Sequence, residues 1–459
     1  MTSSATEWRP PAPPVPATNL PLWRLLWELR TSNISIWPER AYDELLLPRR
    51  VFGRDTLLVN DPAGIKEVLS TRARDFQRYM VTPRLLRPVA GDGVLLAEGE
   101  DWRQQRRSVS PAFTPASVER VVPRFVEAAE HLCKRAGEEM GRGSVNLYRL
   151  FQMSAIDALG RGLFSLPFGE RADRLAGMAR EYFAGPGRPN LSDSFARHEG
   201  QFRIASWRRR RFEKAWFAEI DAILEDWRRA VAESNRQGIM TVMSDWRDPD
   251  TGRPMSEREL RHQTATMIAA GFETTALTMF WAAYLIANDV ETQQEIRREI
   301  AASLPRELRS MKDLERWPRL REAIFEALRL YPPVSFMSRV AIDPSEICGR
   351  EIAPGTVIVI SPWVLHRHRE FWNEPQLFKP ERFAGRPRAH LAGGAFIPFG
   401  SGPRICLGAS FAFAEAMILL GTLIERFDVT VDARPLVPRA IISTTPSLEP
   451  GFQLRPIGQ

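Results

Sequence analysis

The residues best placed to do chemistry in this chain stand in the run Phe399-Gly400-Ser401-Gly402-Pro403-Arg404-Ile405-Cys406-Leu407-Gly408. Glycines and a proline shape a tight loop, and a helical run from Ala409 to Phe427 comes directly after it. Cys406 therefore falls at the start of a helix, where backbone N–H groups and the helix dipole favour the thiolate. The thiolate is the form that ligates iron, and as an axial ligand it pushes electron density toward bound oxygen. A lone cysteine is ordinarily a small buried apolar residue. The spacing of Phe399, Gly402, Arg404 and Gly408 around Cys406 sets this one apart.

A second group, Ala270-Gly271-Phe272-Glu273-Thr274-Thr275, lies inside the most apolar long segment, Gln263 to Asn288. A glutamate and a threonine so placed need partners or a purpose. Thr274 either bonds back to a carbonyl one turn earlier or serves a site, and Gly271 would let the backbone approach a ligand closely. A third group is Glu326-Ala327-Leu328-Arg329, whose i,i+3 spacing puts opposite charges on one helix face. Tyr331-Pro332-Pro333 stands just after it, and Lys379-Pro380-Glu381-Arg382-Phe383 comes later. Trp102 and Arg106, four apart, share a helix face, and Arg339 stands a few residues past the Pro332-Pro333 turn. His366 and His368 would face one way on a strand, but no third ligand stands near, so zinc is not expected.

These residues need a scaffold, and the chain of 459 residues can build one: it is 44% hydrophobic with 13 Trp and 25 Phe, and 26% charged. Residues 1–20 are Pro-rich and predict a loose arm. No Ser/Gly/Pro linker divides the remainder, so residues 21–459 predict a single catalytic domain. Helical periodicity dominates, most clearly in the stripe Phe212, Trp216, Ile220, Ile223, Leu224, Trp227. Short strands are expected between Arg339 and Ile360 and around Phe427–Val431 and 438–443. The fold class predicted is mainly α with a minor β region.

The net charge of +7 allows either an anionic partner or a merely basic surface. The run Arg208 to Arg211 spreads around a helix at about 100° per residue and predicts a solvated helix start, with no nucleic-acid motif in the chain. Cys133, Cys348 and Cys406 cannot supply a four-cysteine iron–sulfur site, and they fit a reducing compartment. Glu273 interrupts the apolar segment, so no membrane span is expected, and the N-terminus has no signal pattern. A cytoplasmic location is the expectation.

The loop from Phe399 to Gly408, the Glu273–Thr274 pair and the Glu326/Arg329/Arg382 set, in this order and spacing, resemble the motifs of the cytochrome P450 family. The resemblance covers nearly the whole chain past residue 20. It implies the cytochrome P450 fold, with haem b between the Glu273 helix and the helix after Cys406. Cys406 would ligate the iron, Phe399 would pack near the thiolate, and Gly402 and Gly408 would shape the loop. Arg404, Arg339, Trp102 and Arg106 would contact the haem propionates, which suits the donor fork of arginine. Ala270, Gly271, Glu273 and Thr274 would line the oxygen side, with Thr274 ordering water for proton delivery. Glu326, Arg329 and Arg382 would form a buried structural network. Leu365 to Trp372 resembles the segment before the Pro-Glu-Arg-Phe element, with Arg369 where the family often has proline.

The reaction so implied inserts one oxygen atom of O2 into an apolar small molecule. Neither a Gly-x-Gly-x-x-Gly nor a P-loop pattern occurs, so a separate ferredoxin or flavodoxin with its reductase is expected to bring electrons. Arg103 and Arg107 are candidate docking contacts. Residues 77–96 and Val334 to Met337 occupy substrate-contacting places in the family, and Met80, Phe336 and Met337 suggest an apolar pocket. Two rivals are a haem-thiolate isomerase, dehydratase or peroxygenase and a haem-based sensor. The Glu273–Thr274 pair speaks against the first, and the lack of an output module against the second.

Overall fold

A computed structural model of the chain describes residues 8–141, 143–189, 206–234, 238–303, 307–385, 393–432, 436–448 and 450–458. The main helices are α1 (Leu22–Thr31), α2 (Val81–Ala90), α3 (Gly99–Val109), α4 (Val122–Met140), α5 (Leu147–Phe164), α6 (Glu170–Ala184), α7 (Ser206–Ser234), α8 (Glu257–Ala287), α9 (Val290–Ala301), α10 (Pro318–Leu330) and α11 (Ala409–Arg426). The strands are β1 (Leu46–Val51), β2 (Arg54–Val59), β3 (Phe76–Arg78), β4 (Met337–Ala341), β5 (Ser345–Ile347), β6 (Arg350–Ile352), β7 (Val357–Ile360), β8 (Phe427–Val431), β9 (Pro438–Ala440), β10 (Thr444–Pro446) and β11 (Phe452–Pro456).

The apolar segment that stands out in the sequence becomes α8, the central helix. Ser256 and Glu259 cap its start reciprocally: the Glu259 N–H donates to Ser256 Oγ at 3.2 Å, and the Ser256 N–H donates to the Glu259 carboxylate at 2.7 Å. Past the first turns α8 is buried nearly all round, because α2, α5, α7, α10 and α11 all pack on it. The predicted stripe on α7 is real: Trp216, Ile220, Ile223, Leu224 and Trp227 are buried, and the Trp216 indole donates to the Val89 carbonyl of α2 at 2.8 Å.

The main sheet runs β1-β2-β7-β4-β3. Strands β4 to β7 and β8 and β9 fall where β-branched residues predict them. The β1–β2 hairpin does not announce itself, since Pro48, Arg49, Arg50 and Asp55 interrupt its apolar alternation. It is held instead by parallel pairing of β2 with β7, some three hundred residues on (Leu57 opposite Ile358).

Two expectations differ from the structure. The described part of the Pro-rich arm is docked: Pro10 and Pro13 are buried, the Pro11 carbonyl accepts from the Tyr331 hydroxyl at 2.8 Å, and the Pro16 carbonyl accepts from the Glu39 N–H at 2.9 Å. A proline-rich strand leaves few N–H groups to satisfy, so carbonyls alone can fasten it. Within Arg208–Arg211, Arg209 is buried and donates to the carbonyls of Pro186 (2.7 Å) and Arg188 (3.2 Å). One position of the run thus faces inward, and only its neighbours are solvated.

Candidate active site

The loop before α11 folds through two glycines. Gly400 and Gly402 have φ of 75° and 73°, a region that favours glycine, and a Cβ on Gly402 would stand 2.1 Å from the Leu69 carbonyl oxygen. No side chain fits there. The Cys406 N–H donates to the Phe399 carbonyl at 2.9 Å, and the Ile405 N–H to that of Gly402 at 3.0 Å. The loop closes on itself and leaves Cys406 on the wall of a cavity of about 680 Å³. Burial pushes the thiol pKa up, while the Gly408 N–H and the Arg106 guanidinium pull it down. Cys406 is exposed and borders the cavity.

The segment entering the loop is fixed by His366. Its Nε2 accepts from the Ile397 N–H at 2.9 Å, and burial beside Arg329 and Arg367 holds its pKa down at about 3, so it is a neutral acceptor. Among the described residues no three His, Cys, Asp or Glu gather as a metal site. Arg369 does what a proline could not: its N–H donates to the Tyr42 carbonyl at 2.9 Å, and its side chain pairs with Asp43 at 2.6 Å.

Behind the loop Glu326 and Arg329 are fully buried and bidentate, with both contacts at 2.7 Å. Arg329 also donates to the carbonyls of His366, Pro375 and Leu377. Glu326 takes in addition the Lys379 N–H at 2.9 Å and the Arg382 guanidinium at 3.3 Å. Every member has a partner, which is what a buried pair requires if it is not to be a liability.

The cavity wall includes Trp102, Arg106, Arg339, Phe399, Gly400, Arg404, Cys406 and Gly408, so residues far apart in sequence do converge. Gly402 acts from behind, in the turn. Arg404 lies 4.4 Å over the Trp102 ring and pairs with Glu98 at 2.7 Å. Arg106 donates to the Ile405 carbonyl at 2.8 Å. Sequence reasoning misses two members, Arg78 and Glu98: Arg78 stands opposite Arg339 in the β3–β4 register and pairs with Glu98 at 3.2 Å. Only the strand pairing reveals it. Burial and mutual repulsion lower Arg339 and Arg404 to about 10. Arg106 and Arg339 form no ion pair among the described residues. Four guanidinium groups, two of them sharing the Glu98 carboxylate, thus gather beside Cys406, and this surplus fits a cofactor that brings two carboxylates.

On α8, Ala270 is exposed to the cavity and Thr274 is half exposed, its Oγ1 donating to the Ala270 carbonyl at 2.8 Å. With its proton so committed, Oγ1 is left as an acceptor toward the cavity. Thr275 is buried and bonds the Gly271 carbonyl. Neighbouring residues of α8 divide between the cavity and α5. Gly271 borders the cavity, and Leu159 of α5 stands 3.0 Å from where a Cβ would be, so its smallness also serves helix packing. Glu273 borders the cavity, but its carboxylate turns to α5, accepting from the Tyr148 hydroxyl at 2.5 Å and the Gln152 amide at 2.7 Å. Burial raises its pKa against those two bonds.

A thiol at a glycine-shaped loop, an arginine surplus and a threonine-bearing central helix around one cavity agree with the matches of the whole sequence. The Cytochrome P450 family model matches residues 14–449. The chain belongs to the cytochrome P450 family. This P450 is 29% identical over 399 residues to "Cytokinin hydroxylase" of Arabidopsis thaliana (82% of this chain, 74% of the relative). It is 26% identical over 406 residues to "Cyclooctatin synthase" of Streptomyces melanosporofaciens (87% and 86%). It is 27% identical over 403 residues to "Protein LUTEIN DEFICIENT 5, chloroplastic" of Arabidopsis thaliana (83% and 67%). Membership makes it an oxidoreductase, a haem-iron monooxygenase using O2 and a redox partner. No helix among the described residues is long and apolar enough to cross a membrane.

Most of the rest of the cavity wall is apolar, although Arg49, Arg54 and Thr266 also border it. Leu85, Val89, Val94, Val334, Phe336 and Met337 belong to it, whereas Met80, at the start of α2, does not. Arg103 and Arg107 lie on α3 but are engaged, with Glu100 and with Asp250 respectively.

Proposed function

We propose that this P450 holds haem b through Cys406 and hydroxylates or otherwise oxygenates an apolar small molecule bound under α8, drawing electrons from a separate ferredoxin or flavodoxin and its reductase. The observation that supports this reading most is the opening of Cys406 onto a largely apolar cavity walled on another side by Ala270 and Thr274. When bound, the haem iron activates dioxygen, and the thiolate ligand favours O–O cleavage.

The chain's own residues supply position and protons. Arg78, Arg106, Arg339 and Arg404 hold the propionates, with Trp102 stacked on Arg404. Thr274 Oγ1 accepts a hydrogen bond from a water in the cavity and so fixes a proton donor next to the reacting atoms. Glu273 is the nearest carboxyl to Thr274 in the chain, and it serves as a proton store once it lets go of Tyr148 and Gln152. The apolar wall excludes other water. A cytoplasmic location, and an organisation as one catalytic domain over residues 21–459, belong to the same proposal.

The test is spectroscopic. The reduced carbon monoxide complex should show the red-shifted Soret band of a thiolate ligand, and Cys406→Ala should abolish it. An intact band in that variant would place the ligand elsewhere. Screening apolar ligands for a haem spin-state shift then defines the substrate class, and turnover with NADH and surrogate redox proteins separates a monooxygenase from a sensor or an isomerase.

A further inference from the structure

Helix α1 is apolar on two faces. On one, Leu25 is buried and borders the cavity together with Leu29. Two residues along a helix turn a side chain by about 200°, so Trp23 and Trp27 stand on the far side, where they are 73% and 66% exposed. Arg30, one turn past Trp27, shares that outer face, and Arg24 flanks it. Both arginines are exposed, and neither forms an ion pair among the described residues. Leu22, at the helix start, is 56% exposed.

Single exposed apolar residues are ordinary, but two neighbouring indoles so far out of the protein form a contact surface. We propose that α1 is a membrane-docking helix, lying in the plane of a bilayer interface with Trp23 and Trp27 at headgroup depth and Arg24 and Arg30 on anionic lipid phosphates. Tryptophan and arginine are the residues that suit that layer, the first for its amphipathic ring and the second for a charged tip on a long stem. The charge fits: α1 has two unpaired cations against the single carboxylate of Glu28, on a chain of net +7.

A second copy of the chain fits less well. A two-fold contact would bring Arg24 and Arg30 against like charges. A ten-residue helix is also only about 15 Å long, and one face of it falls well short of the roughly 800 Å² per partner of a stable dimer. Continuity with the cavity adds to the case, since the helix whose outer face meets lipid is the one whose inner face walls the cavity. An apolar compound dissolved in the bilayer would then meet the cavity where the chain touches the membrane.

The experiment uses the full-length, haem-loaded protein in sedimentation with vesicles of phosphatidylcholine alone and with added phosphatidylglycerol. Binding should be stronger to the anionic vesicles and weaken as salt rises. Trp23→Ser/Trp27→Ser should weaken it by at least about tenfold, given the burial of two large apolar side chains. Arg24→Glu/Arg30→Glu should lower binding to anionic vesicles by more than about tenfold and change that to neutral ones little. Leu448→Ser, exposed at a different place, should have no effect, and an unchanged carbon monoxide band in each variant shows that the fold is kept. A wild type that binds neither vesicle, or a tryptophan variant that binds as well as wild type, overturns the proposal. So does a wild-type dimer that the tryptophan variant dissolves, because the face would then belong to a second copy.

Discussion

Replacing Glu415 by methionine should stabilise this P450, and by an amount that grows with pH. Glu415 lies on α11, nine residues past Cys406, fully buried, and neither carboxylate oxygen has a hydrogen-bond partner among the described residues. With nothing to offset burial, its pKa rises well above the ordinary value. The unfolded chain releases this proton near the usual glutamate range, about 4.3, while the folded chain keeps it. Over the window between those two values the folded state binds one more proton than the unfolded state. Stability therefore falls as pH rises, by about 1.4 kcal/mol per unit. Methionine is close in volume and does not titrate. The difference in unfolding free energy between Glu415→Met and wild type should then widen with pH, by up to about 1.4 kcal/mol per unit for as long as the folded protein keeps this proton. Glu273 and the buried histidines titrate in both proteins and cancel in the difference. Urea unfolding of the two holoproteins at pH 5, 6 and 7 measures it. A gap that stays constant with pH would mean that Glu415 is ionised and solvated in the folded protein, and the reasoning from burial would fail.

Thr274→Ala should leave the carbon monoxide band intact while product formed per NADH drops and hydrogen peroxide rises, with Thr275→Ala nearly silent; equal coupling in Thr274→Ala and wild type would confine the hydroxyl to its bond with Ala270. Glu326→Ala should cost about 3–5 kcal/mol by stranding a buried guanidinium, visible as loss of folded holoprotein, whereas an exposed pair such as Arg107 with Asp250 should contribute less than about 1 kcal/mol. Arg78→Ala, with Arg339 left in place, should weaken haem retention in a transfer assay to apomyoglobin; unchanged transfer would remove Arg78 from the propionate site. Arg103→Glu/Arg107→Glu should slow reduction by an acidic ferredoxin at low salt, and a rate indifferent to both charge and ionic strength would move the docking face elsewhere.

Features that depend on local spacing were legible in the sequence. Cys406, its glycines, the Glu326–Arg329 step and the periodic stripe of α7 all encode their geometry within ten or fifteen residues. The apolar run of α8 did the same for the central helix. Contacts set by distant pairing could not be foreseen. Arg78 becomes a site residue only because β3 pairs with β4, and the β1–β2 hairpin exists because β2 finds β7. Directions of side chains were equally hidden: Glu273 and Thr274 are adjacent in sequence, yet about 100° apart around the helix, which sends the first to Tyr148 and the second to the cavity.

The contrast between the two charged clusters explains how the same residue types serve different ends in one fold. Around Glu326 most donors and acceptors are matched: the carboxylate bonds Arg329 and the Lys379 N–H and forms an ion pair with Arg382, and the remaining donors of Arg329 meet three carbonyls. Such a cluster has little capacity left for a ligand, and it fixes the segment from His366 to Arg382 behind the cysteine loop. Around Glu98 the balance is broken: Arg78 and Arg404 share the carboxylate, while Arg106 and Arg339 form no ion pair among the described residues, and all four arginines border the cavity. Partly buried cations that repel one another are unfavourable, and with desolvation this repulsion is the origin of the lowered pKa values of Arg339 and Arg404. The binding of a dianion relieves that repulsion. Haem should accordingly raise the stability of this P450 by more than its contact area implies, and that surplus should shrink when Arg339→Met removes one of the repelling charges.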